Sequence, residues 1–348
     1  MSLPKTMQAV QIVAQERAEV VELPVPEAQE GELLVKILAI VTCNQYDLHI
    51  YEARPMLDPT KPVEYPQPVG FPGHEWVGEV MAVGEGVSGF AVGDWVCTPG
   101  GRQAGKGRSY PSGYSQYRVL DAGLALCVPK TANPLKVAPM EMASCVAANV
   151  MDLKSMTCLD GKRCGVSGLG PAGLIAAMML RGEGAAEVIG VEINAERGQY
   201  ALDKGIIDRW IDPTGPSGKA LPMRRNYGKP EGAIQVTIDC AGAKAAVQYM
   251  MDHTSEYVSL FAVQREPYSY QGWATGKHQG LKLCGHTGRH PGTGHYAVRR
   301  VRAGSLDLSL TVTHRMTFDQ YNEAMALIKG QKALKVAFYP FGLPEEAS

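Results

Sequence analysis

The plainest chemistry in this 348-residue chain lies in a cluster of glycines and one acid. The run Gly168-Leu169-Gly170-Pro171-Ala172-Gly173 follows a short apolar segment ending at Val166. It precedes a second apolar segment, Leu174 to Leu180, at helical spacing. A third apolar run, 188–191, leads to Glu192, 24 positions after Gly168. Strand, glycine turn, helix, strand and acid, in that order, are what a dinucleotide site requires. Gly168 permits the tight turn, Gly170 lets the backbone approach a pyrophosphate, and Gly173 lets the helix pack close to the strand. Free N–H groups at the helix start, at the positive end of its dipole, hold the phosphates. Glu192 can accept both hydroxyl hydrogens of an adenosine ribose and would repel a 2′-phosphate. That argues for NAD over NADP, a preference that the nearby Arg197 softens.

Length and composition bound what else the chain is. A single core at this length is unusual, so two domains are expected. The chain is 45% hydrophobic and 20% charged with a net charge of −1. That balance gives no electrostatic case for a nucleic acid or an anionic membrane as partner. The longest apolar runs fall well short of the ~20 residues of a spanning helix. The N-terminal stretch lacks the apolar core of a signal peptide. The eight cysteines are scattered without a CxxC pair, as in a reduced, cytoplasmic protein whose cysteines are mostly core residues, with one or two left to serve as ligands.

The elements that must position these residues change texture along the chain. Residues 7–13 and 32–41 read as strands joined through a proline-containing connector, Leu23 to Pro26. Residues 42–72 read as loop, with prolines concentrated from 55 onward. Short strands punctuated by Gly78, Gly84, Gly86 and Gly93 follow, a spacing that fits a small, partly open β-barrel. Residues 98–113 read as a surface loop, and 114–119 and 125–128 as further strands. From about residue 136, helix and strand alternate, with later strands at 233–238, 257–262 and 281–284. Residues 306–313 return to β character, 318–329 form an amphipathic helix, and 334–339 a last strand. The expected class is α/β. A partly open barrel spans 1–135 and 305–348, and a doubly wound parallel sheet is inserted at 136–304.

With these elements in place, the chain resembles the medium-chain dehydrogenase/reductase superfamily, in its zinc-dependent alcohol and polyol dehydrogenase branch. Its sharpest motif is Gly73-His74-Glu75-x-x-Gly78-x5-Gly84-x-x-Val87, which matches the zinc-dehydrogenase signature at every fixed position. Gly93-Asp94-Trp95-Val96, the run Val191-Glu192-Ile193-Asn194, the run Ile238 to Gly242 and the segment 313–336 add support. The resemblance implies a GroES-like catalytic domain, an inserted Rossmann domain, and an active site in the cleft between them. It implies one catalytic zinc, NAD, a small alcohol or ketone substrate and a homo-oligomer, dimer or tetramer.

Site residues carry over one by one. His74 and Cys43 become zinc ligands, although Asp47 lies four residues after Cys43 where three is usual. The third ligand is Cys145 by spacing, with Glu141 the competitor. Glu75 becomes an outer carboxylate, or a ligand that swaps with water. A proton relay would run from the zinc-bound alcohol through the Tyr46 hydroxyl to His49 and out to solvent. Asn149 and His286 face the nicotinamide side. Cys240, Ala241 and Gly242 line the cofactor groove through backbone, and Asn194 and Arg197 flank the acid Glu192. Tyr46, Tyr51, Arg54, Met56 and Trp76 are the expected pocket lining. Residues 97–114 hold only Cys97 where many members carry four cysteines, which excludes a structural tetrathiolate zinc. Two other readings remain: a zinc-free quinone or enone reductase of the same fold, and a non-catalytic NAD-binding protein.

Overall fold

The computed structural model describes residues 3–55, 60–100, 111–223, 232–264, 269 and 280–344. Met56 therefore lies outside the described residues, as does most of the loop at 98–113. Two compact units emerge, one of residues 1–142 with 308–348 and the other of 143–307. The expected breaks stood at 135/136 and 304/305.

The first unit is built around β3 (Glu32–Val41), whose sequence ELLVKILAIV is buried along nearly its whole length. Such a continuous apolar run needs cover on both faces. It lies antiparallel to β4 (Glu75–Val83), to β6 (Tyr117–Asp121) and to the C-terminal β15 (Val336–Phe338). With β5 (Trp95–Cys97), β7 (Leu126–Cys127) and β14 (His314–Met316) these strands form a seven-stranded sheet in the order β14-β15-β3-β4-β5-β7, β6 joining on β3. A hairpin of β1 (Thr6–Ala14) and β2 (Arg17–Pro24) stands beside it. The signature glycines are required by close backbone approach. A Cβ on Gly78 would sit 2.6 Å from the Lys36 carbonyl oxygen, and one on Gly84 1.8 Å from that of Gln29. Trp76, Tyr114, Tyr321 and Phe338 are the large side chains of the core here.

Two local expectations are corrected. Residues 44–51 form a helix, α1 (Asn44–Tyr51), inside the stretch read as loop. Its prolines all fall after the helix, so none of them interrupts it. Residues 308–311 form a 3-10 turn, not a strand. There the Thr311 hydroxyl donates back to the Leu308 carbonyl at 2.7 Å, a local bond that competes with strand pairing.

The second unit is a six-stranded, all-parallel sheet in the order β10-β9-β8-β11-β12-β13. Its strands are β8 (Arg163–Ser167), β9 (Glu187–Val191), β10 (Arg209–Ile211), β11 (Ile234–Asp239), β12 (Thr254–Leu260) and β13 (Lys282–Cys284). The chain moves outward from β8 to one edge, then returns to β11 and runs to the other. That reversal creates the topological switch point, at the carboxyl ends of β8 and β11, where such sheets bind ligands. The helices α2 (Met140–Met156), α3 (Pro171–Gly182), α4 (Ala195–Asp203), α5 (Pro216–Ala220), α6 (Lys244–His253) and α7 (Pro291–Arg302) account for the alternation read from residue 136 onward. In the first unit a last helix, α8 (Tyr321–Lys329), precedes β15. The fold class is the expected one.

Candidate active site

In the first unit, Cys43 is the N-cap of α1 and takes an extended backbone, φ −94° and ψ 91°. Asp47 stands one helical turn further on, so its carboxylate reaches back to accept the Cys43 N–H at 3.1 Å. The additional residue in this segment is thereby absorbed as the fourth step of a helical turn. The same oxygen accepts the Tyr114 hydroxyl. Burial pushes the Asp47 carboxyl up to about 7, against the lowering pull of the Tyr114 bond.

Glu75 opens β4 opposite Val41, which brings it and His74 alongside the segment that leads into α1. One candidate ligand atom from each of Cys43, His74 and Glu75 lies within 4.8 Å of the other two. This is the metal-suited group among the described residues. Burial, then the Glu75 charge, pushes the Cys43 thiol up to about 12. A divalent cation reverses that logic, because a coordinating thiol is deprotonated outright. The donor set of thiol, imidazole and carboxylate fits zinc.

Glu75 is fully buried, and both its oxygens accept from the Lys335 ammonium, at 2.7 and 2.8 Å. Sequence reasoning missed Lys335. Its signal was a lysine inside the apolar strand run 333–339. The Tyr46 ring meets His74 edge-on at 5.4 Å and Phe71 at 5.8 Å, so Tyr46 stands at the group. His49 is only 4% exposed, so the exit from imidazole to solvent is not open at its own surface. Three lining expectations are corrected. Trp76 packs in the core, while Tyr51 is buried with its hydroxyl donating to the Glu16 carbonyl. Arg54 is turned to an ion pair with Glu52.

The two rivals for the third ligand share α2 four residues apart, and so face the same side of that helix. Glu141 is buried in the first unit; Cys145 belongs to the second and is partly exposed. One further turn along, Asn149 is fully buried and donates to the Ser259 hydroxyl at 2.8 Å. Among the described residues its Oδ1 has no partner, a buried acceptor suited to a carboxamide N–H.

The three glycines of the turn in the second unit stand in different surroundings. Gly168 adopts φ 83°, and its N–H donates to the Val191 carbonyl at 2.8 Å. A Cβ on Gly173 would lie 1.8 Å from the Gly168 carbonyl oxygen, whereas one on Gly170 would meet nothing within 4 Å. Gly173 is therefore needed by the fold, whereas the space beside Gly170 is open. Gly170 caps α3 without any side-chain bond, and Pro171 opens the helix, leaving the first N–H groups for a phosphate. The Glu192 carboxylate accepts the N–H of Leu169 at 2.7 Å and that of Asn194 at 2.9 Å. Asn194 in turn caps α4 by accepting the Arg197 N–H at 3.1 Å.

Cys240, Ala241 and Gly242 stand beside the turn. The Cys240 N–H donates to the Ser167 carbonyl at 2.7 Å, and a Cβ on Gly168 would meet the Ala241 nitrogen at 3.0 Å. The N–H groups of Ala241 and Gly242 are held by the Asp239 carboxylate at 3.3 and 3.1 Å. His286 stacks on Phe261 at 5.5 Å. The His290 ring accepts from the Gly292 N–H at the start of α7.

Comparison with known proteins places these observations. Residues 29–130 match the family model described as the alcohol dehydrogenase GroES-like domain. The chain is 26% identical over 336 residues to the L-threonine 3-dehydrogenase of Pectobacterium atrosepticum, covering 90% of this chain and 89% of that one. The 2R,3R-butanediol dehydrogenase of Bacillus subtilis has the same fold, with a TM-score of 0.78 at 22% identity over 96% of this chain and 99% of that one. Galactitol-1-phosphate dehydrogenase of Escherichia coli follows with a TM-score of 0.76 at 19% identity, over 96% and 100%. No helix among the described residues is long and apolar enough to cross a membrane.

Proposed function

We infer that this chain, which belongs to the medium-chain dehydrogenase/reductase superfamily in its zinc-dependent alcohol and polyol branch, passes a hydride between an alcohol and NAD. The substrate class is a secondary alcohol or polyol. The 3-hydroxyl of threonine, the hydroxyls of 2,3-butanediol and those of a sugar alcohol phosphate all suit that class. The observation that carries the reading is the meeting of Cys43, His74 and Glu75 at the mouth of α1.

Cys43 and His74 would hold the zinc, with Cys145 or Glu141 as the third protein ligand. When bound, the ion supplies a Lewis acid that lowers the pKa of an alcohol. The chain's own residues do the rest. Asp47 fixes the Cys43 backbone, and Tyr46, edge-on to His74, would take the alcohol proton and pass it toward His49. In the second unit the N–H groups opening α3 would hold the pyrophosphate, Glu192 would orient the ribose, and the Asn149 Oδ1 would accept from the carboxamide N–H. The same set of residues disfavours the zinc-free reductase, which needs no thiol beside His74. The eight free cysteines support a cytoplasmic location, and the family resemblance supports a homo-oligomer.

The test is a spectrophotometric screen of secondary alcohols, polyols and 3-hydroxy amino acids with NAD and with NADP. Turnover should depend on NAD and fall by about 10³-fold or more in His74→Ala, the scale of losing an electrostatic catalyst. Turnover of enones or quinones that survives His74→Ala would contradict the reading.

A further inference from the structure

Lys335 is 1% exposed, and its ammonium donates to both oxygens of Glu75 and to the Thr42 carbonyl, the last at 2.6 Å. The neighbours of Cys43 on either side are tied to the same C-terminal segment. Thr42 exchanges bonds with Val336, its N–H donating to the Val336 carbonyl at 3.0 Å and its hydroxyl accepting the Val336 N–H at 3.1 Å. The Asn44 side chain donates to the Leu334 carbonyl at 2.5 Å. Residues 334–336 thus grip the Cys43 segment on both sides and reach through Lys335 to Glu75.

The Glu75 oxygens are near enough to Cys43 and His74 to enter a shared coordination sphere. A buried ammonium, however, is stable only beside an anion. A carboxylate that moved onto a metal would give up much of its charge and leave Lys335 without compensation.

We propose that Lys335 is a positioning residue of the metal centre, which holds Glu75 outside the inner coordination sphere and so keeps one position open for the substrate oxygen. The proposal rests on the metal reading above. An open fourth position is what separates a catalytic zinc from a structural one. With a neutral residue in place of Lys335, the buried Glu75 anion finds its compensation on the metal itself. The outcome is a tighter but blocked site.

The test loads the full chain with Co²⁺ in place of zinc and compares wild type, Lys335→Met and the double variant Glu75→Gln/Lys335→Met. Lys335→Met should show altered cobalt d–d bands from an added oxygen ligand. It should also hold its metal against a chelator roughly 10-fold longer, the scale of changes around a metal's ligands. The double variant should return to the wild-type bands and retention, and Lys335→Gln takes the place of the single variant if Lys335→Met does not fold. Lys335→Met with wild-type bands and retention overturns the proposal, as does a double variant whose bands differ from wild type. A wild-type chain that takes up no cobalt overturns the metal reading, and the proposal with it.

Discussion

Gly170 and Gly173 lie three positions apart, yet a methyl group meets opposite conditions at the two. Gly173→Ala drives a Cβ into the Gly168 carbonyl and should destabilise the second unit by about 1–3 kcal/mol, the usual price of overpacking. Gly170→Ala enters open space, so stability should change by about 1 kcal/mol or less while NAD affinity falls. Thermal denaturation and NAD titration of both variants separate the two glycines; equal effects on both quantities would contradict the assignment. Asp47 makes a second test at this scale. Asp47→Ala leaves the Cys43 N–H and the Tyr114 hydroxyl without their acceptor, which should cost about 2–4 kcal/mol. Tyr114→Phe, which keeps the carboxylate on Cys43, should cost less, and chemical denaturation of the pair checks the order. The glycines were legible because their chemistry is local to one turn. Lys335 was not, because its burial depends on strands that come from the other end of the chain.

Helices in the second unit are stapled by one carboxylate. Glu183, at the end of α3, pairs with Lys154 of α2 at 2.6 Å and accepts the Tyr296 hydroxyl of α7 at 2.5 Å and the Arg300 guanidinium of the same helix. Burial alone would raise its pKa, but these partners outweigh it and hold the carboxyl below its usual value of 4.5. A depressed carboxylate stabilises the fold fully above its unfolded pKa, and that contribution is lost as pH falls below about 4.5 toward the folded value. Glu183→Gln should therefore be less stable than wild type at pH 7, with the gap closing below pH ~4. Urea midpoints across that range provide the check, and a constant gap would contradict the pairing. At this scale the sequence was readable wherever periodicity was long. The apolar helix α3 and the strands of the parallel sheet declare themselves, whereas α1 did not. Only part of α1 is apolar, since Asp47 and His49 are buried beside Ile50 and Tyr51. Those buried polar groups blurred the amphipathic signal.

At the scale of the whole molecule, each unit carries its own core. Ligands that bind one native unit stabilise that unit by mass action, about 2.7 kcal/mol at 100 times Kd. Calorimetry should therefore show a transition that NAD raises. A thermogram that NAD leaves unmoved would contradict a dinucleotide site in the second unit. The two-unit organisation was visible from length and from the change of texture near residue 136, since β-rich and alternating segments differ in period. Which residue supplies the third ligand was not, because Glu141 and Cys145 occupy the same face of one helix and differ by a single turn. The central claim is that Cys43 and His74 anchor one catalytic zinc. Elemental analysis of the purified full chain, as wild type and as His74→Ala, tests it most directly. About one zinc per wild-type chain is expected, the content of a catalytic site without a structural one, and its loss in the variant. A folded wild-type chain that holds no zinc after reconstitution, or a variant that keeps it, would contradict the claim.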